Sequence, residues 1–109
     1  MKMIDMKRQE FMENCANYVI YLFLKAVNDD KVLSPFLMEE FLEISEVIDS
    51  GDREILPAIK PVVEEEMREG TYLSKGKDTY LDNLSNFFER YYLEKGPFYR
   101  MIVEVVQNT

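Results

Sequence analysis

The sequence predicts an all-α fold, a compact bundle of four to five helices with a long N-terminal central helix. Three observations carry that expectation. Apolar residues recur at helical spacing along most of the chain, and proline and glycine fall where helices should start and stop. No stretch alternates apolar and polar residues between turn signals as a half-buried strand does, and only Val103 to Val106 is ambiguous. With 109 residues, 47% hydrophobic and 31% charged, the chain reads as a single helical domain, 1–109.

The first helix is expected from Ile4 or Asp5 to about Asn28. At 100° per residue, Phe11, Cys15, Tyr18, Val19, Leu22 and Phe23 fall with other apolar residues on an arc of roughly 200°, about twice the usual stripe. Tyr18 to Leu24 is an unbroken apolar run. Tyr21 and Leu24 fall on the side marked as wet by Asn14, Asn17 and Lys25. A bundle of this size leaves much of its surface uncovered, so this excess predicts a homodimer docking through Asn17, Tyr18, Tyr21, Phe23 and Leu24.

Ser34-Pro35 supplies an N-cap and a proline at the first helical position, so a second helix starts there. Leu37, Phe41, Ile44 and Ile48 mark its inner face; Glu39, Glu40, Glu43 and Glu46 mark the outer one. It should stop at Asp49-Ser50-Gly51. The third segment carries Pro57 and Pro61, and a short turn from Arg53 to Leu56 followed by a kink or break is expected, with Ile55, Ile59 and Val62 as its stripe and Leu56, Val63 and Met67 beside it. Glu66 is the next position on that stripe, so either the core ends before it or it is an inward carboxylate at a pocket or interface. A fourth helix should start at Asp78 or Thr79, carry Tyr80, Leu81, Leu84, Phe87, Phe88 and Tyr91 on one face, and end at Gly96-Pro97. Pro97 to about Val106 forms the last.

Charge is unevenly placed. Residues 1–27 sum to +1, 28–69 to −9 and 70–109 to 0, giving the net charge of −8. The acidic middle argues against direct nucleic-acid contact and against an anionic membrane. No run reaches the roughly 18 to 20 apolar residues of a bilayer span, and the charged start lacks a signal-peptide core, so the expected address is cytoplasmic. Abundant glutamate, lysine and tyrosine with little glutamine or cysteine suits a thermophilic source.

The chain has no histidine, which removes the usual zinc sites and Ser-His-Asp chemistry, and its one cysteine, Cys15, reads as a small core residue. Glu39-Glu40-x-x-Glu43 places carboxylates where they could share magnesium. That element is similar to the one by which the all-α nucleoside triphosphate pyrophosphatases hold magnesium. The resemblance implies a metal site at Glu39, Glu40 and Glu43 and an enzyme acting on nucleotides. In that family the matching E-x-x-D lies on a later helix, whereas here Glu46-x-x-Asp49 follows on the same one, and Glu64-Glu65-Glu66 lacks the aspartate.

Tyr91-Tyr92 and Phe98-Tyr99-Arg100 gather aromatics around Gly96-Pro97, as core packing, as interface anchors or as a platform that stacks single-stranded bases. Taken together, these features predict a protein-interaction or regulatory module, homodimeric and without enzymatic activity or cofactor. Its expected partner is a protein with a basic surface, met by Glu39, Glu40, Glu43, Glu46, Glu64 and Glu65. The alternatives are an acidic mimic of nucleic acid that blocks a DNA- or RNA-binding protein, and the magnesium enzyme above.

Overall fold

A computed structural model describes residues 17–49 and 55–109, which form five helical segments and no strand. The expected beginning of the first helix, Cys15 and the Ser50-Gly51 stop lie outside the described residues. We label the helices α1 (residues 17–28 of its course), α2 (Pro35–Asp49), α3 (Ile55–Glu69), α4 (Lys77–Arg90) and α5 (Pro97–Gln107). The last helix packs against α2, α3 and α4.

The core is organised around Phe23 of α1. Its ring stacks on Phe41 of α2 at 4.2 Å and 9°, meets Phe87 of α4 edge-on at 5.1 Å, and lies 6.0 Å from Phe98 of α5. All four phenylalanines are buried, so one side chain ties four helices together. Aromatic pairs in such geometries add about 0.5–1.5 kcal/mol each beyond the area they bury.

This corrects the expected dimer surface. Phe23 and Leu24 are both completely buried within the single chain and have no surface left for a second copy. Tyr21 is left only marginally exposed, because Tyr72, from the turn after α3, meets its ring edge-on at 6.4 Å. Periodicity within α1 does not encode that neighbour.

The second helix starts as the sequence indicates. Ser34 Oγ accepts a hydrogen bond from the Leu37 amide at 3.3 Å, and Pro35 takes the first helical position. Phe41, Ile44, Val47 and Ile48 are buried.

No break interrupts α3. It runs continuously through Pro57 and Pro61. Pro57 lies in the first turn, where its amide would have no helical acceptor, so the missing donor costs little. Pro61 deprives one carbonyl of its partner, yet both prolines sit on the exposed side, where water can replace the amide. The opposite side holds the helix in place through Ile59, Val63 and Met67, all buried at i, i+4 and i+8. The buried line therefore runs through Val63 and Met67 rather than Val62, which is half-buried.

The ends of α1 and α4 are built alike. After α1, the Lys31 and Asp30 amides donate to the Ala26 and Val27 carbonyls at 2.7 and 3.2 Å; after α4, Leu93 and Tyr92 donate to Phe88 and Glu89 at 2.8 and 3.2 Å. Both are Schellman closures, with left-handed Asp30 (φ 54°) and Tyr92 (φ 55°) at the position glycine usually occupies. Arg90 joins the two ends by a 2.9 Å ion pair to Asp30. Thus α4 ends at Arg90, six residues before Gly96-Pro97, where the sequence points.

Candidate functional site: the outer face of α2

Exposed large apolar side chains are Tyr18, Tyr21, Val32, Phe36, Leu42 and Tyr92 among the described residues. Two of them share a helix face with the acidic residues. On α2, Phe36 is 68% and Leu42 42% exposed. By helical angle, Leu42, Glu46, Glu39, Glu43 and Phe36 follow one another around an arc of about 120°. The three glutamates are exposed and the two apolar residues bracket them. Glu40, half-buried, lies just beyond Phe36 on that arc.

The fold imposes this arrangement. Phe41, Ile44 and Ile48 must face the Phe23 core, which turns the acidic side of α2 outward. None of Glu39, Glu40, Glu43 and Glu46 takes part in an ion pair with another described residue. Among the described residues nothing but solvent and salt offsets their mutual repulsion.

Glu64 and Glu65 are exposed on α3. Near Glu64, Lys60 makes a 3.0 Å bond to Glu104 of α5 and has its pKa raised, chiefly by that bond, with Glu64 adding a smaller effect. No three carboxylates converge so as to hold a metal ion among the described residues. Asp49, the aspartate of the E-x-x-D element, is instead engaged by the backbone amide of Phe98 at 3.1 Å.

Of the expected dimer residues, Asn17 and Tyr18 are exposed and Tyr21 is marginally so. Glu66 turns inward far enough to be half-buried, and the Tyr72 hydroxyl donates to it at 3.4 Å. Burial, with Glu66 close by, pushes the Tyr72 phenol well above its ordinary pKa and keeps it a donor. The aromatic cluster near Gly96-Pro97 divides. Phe98 is core and Tyr99 packs edge-on against Phe88 at 4.9 Å with Lys95 over its ring, whereas Tyr92 is 93% exposed. Sequence reasoning missed Phe36 as a surface residue, although its place one residue beyond Pro35, off the Leu37–Phe41 line, was the available signal.

No protein-family model, curated protein or solved structure matches this chain. No helix is long and apolar enough to cross a membrane among the described residues.

Proposed function

We propose that this protein is an interaction module that binds a basic, amphipathic segment of a partner protein through the outer face of α2. The observation that carries this reading is the pairing of exposed Phe36 and Leu42 with the stripe of Glu39, Glu43 and Glu46 between them, none of which is ion-paired to another described residue. Carboxylates alone would be an ordinary solvated face. Two apolar side chains bracketing them offer anchors that gain from being covered, while the stripe between them attracts lysine or arginine. The partner's complementary pattern is an apolar residue on each side of a basic row.

The test is binding of a lysine- and leucine-based amphipathic helical peptide, followed by fluorescence anisotropy across a range of salt. Glu39→Gln/Glu43→Gln/Glu46→Gln should weaken binding much more than Glu64→Gln/Glu65→Gln, and Phe36→Ala should weaken it at every salt concentration. Equal effects of the two glutamine sets would leave only non-specific attraction to an acidic protein. A Phe36→Ala variant that binds normally while the glutamine variants fail would move the assignment to the nucleic-acid mimic, which needs charge alone.

Self-association is a second reading, supported by Tyr18, 63% exposed beside Asn17 on α1. Sedimentation equilibrium on the wild type and Tyr18→Asp tests it: a dimer converted to monomer by the substitution supports this surface, and a wild-type monomer removes it.

A further inference from the structure

A groove of about 370 Å³ lies between the C-terminal end of α1 and the turn that follows α3. Tyr21, Lys25, Asp29, Glu66, Glu69 and Tyr72 are among its lining residues. We propose that it binds the head of an organic cation, an alkylammonium or guanidinium group.

Three features converge on that class of ligand. The Tyr21 and Tyr72 rings meet edge-on at 82° and 6.4 Å and form an aromatic corner in which the partly exposed Tyr21 ring can receive a cation, backed by buried Tyr72. Glu66, Asp29 and Glu69 against Lys25 leave the lining with a net charge of −2. Two helices end at this groove, α1 at residue 28 and α3 at Glu69, and a helix C-terminus carries partial negative charge.

The corner is built rather than incidental. Tyr72 is buried and its hydroxyl holds Glu66. A Cβ on Gly70 would overlap the Tyr72 ring, so glycine lets the ring lie against the end of α3. Lys25 is the opposing element: it makes no ion pair with a described residue, and its ammonium shares the groove with any incoming cation.

This inference stands apart from the reading of α2, since none of the groove residues belongs to that helix. The same head group could come from a free polyamine or from an arginine side chain of a protein. Isothermal titration calorimetry with spermidine and with Nα-acetyl-arginine amide separates the two, the tighter probe naming the source. The expected result is saturable binding of at least one probe, weakened about five- to tenfold by Glu66→Gln and by Tyr21→Ala, and tightened by Lys25→Met. Glu39→Gln/Glu43→Gln should leave it unchanged. Circular dichroism checks that each variant keeps its fold, and Tyr21→Ala, at a partly exposed position, serves if Glu66→Gln does not. No saturable binding of either probe, or equal binding by folded Tyr21→Ala, Glu66→Gln and wild type, overturns the proposal.

Discussion

The carboxylate of Asp49, the last residue of α2, accepts a 3.1 Å hydrogen bond from the backbone amide of Phe98 in the first turn of α5. The N-cap of α5 is Gly96, which has no side chain to offer, and Pro97 has no amide. A helix near the end of the chain is thus capped by a residue almost fifty positions earlier, which fixes where α2 and α5 meet. Gly96 makes room for the contact, because a Cβ there would stand 2.9 Å from the Asp49 carboxylate.

Asp49→Ala is therefore expected to cost about 1–2 kcal/mol in urea unfolding, as loss of a cap does, and Asp49→Asn to retain most of that stability. Gly96→Ala should also destabilise, by crowding the same carboxylate. Stability unchanged in Asp49→Ala would show that the amide is equally well served by water.

Tyr92 holds a left-handed conformation at the end of α4 while its side chain is almost wholly in solvent, so the ring returns little for the backbone strain. Tyr92→Gly should raise stability by about 1 kcal/mol, seen as a higher thermal midpoint. A fall in the midpoint would mean that the tyrosine ring makes contacts worth more than the strain.

Tyr80 is buried, and its hydroxyl has no hydrogen-bond partner among the described residues. Removing that oxygen relieves an unsatisfied group and leaves the ring packing intact. Tyr80→Phe is expected to be neutral to stabilising by about 1 kcal/mol on chemical denaturation. Marked destabilisation would reveal a partner for the hydroxyl.

The alkaline limb of the stability curve follows from the same phenols. Burial raises the pKa of Tyr80, with Tyr72 adding to it, and burial followed by Glu66 raises that of Tyr72. In the unfolded chain both ionise near pH 10. The folded state holds its protons longer, so the contribution of these groups is complete below about pH 10 and is lost as pH rises from there toward the folded values. Unfolding free energies measured from pH 8 to 11.5 should fall above pH 10, and less steeply in Tyr72→Phe/Tyr80→Phe. An identical slope in that variant would place the alkaline loss elsewhere.

How much of this was legible beforehand depends on whether the signal was local. The start of α2 was written in Ser34-Pro35, and the inward line Phe41, Ile44, Ile48 in simple periodicity; both hold. The end of α4 was not legible, because the residue that closes it is a tyrosine in a conformation that sequence rules reserve for glycine or asparagine. Proline rules overstated the break in α3, since they take no account of Ile59, Val63 and Met67 holding the other side. At the α2 face, the acidic stripe could be read directly, but the exposure of Phe36 and Leu42 depends on how the helix is turned by the core. The groove lay further from view: Glu66 was an anomaly on its stripe, and its partners Tyr72 and Tyr21 are brought together only by tertiary packing.

Binding at the outer face of α2 is tested most directly by the NMR footprint of the basic amphipathic peptide on the isotope-labelled 109-residue chain. Amide shifts should concentrate from Phe36 to Glu46, with the Phe36 ring and Leu42 methyl signals among the largest. Shifts centred on α3, α4 or the Tyr21 groove, with α2 unperturbed, would contradict it.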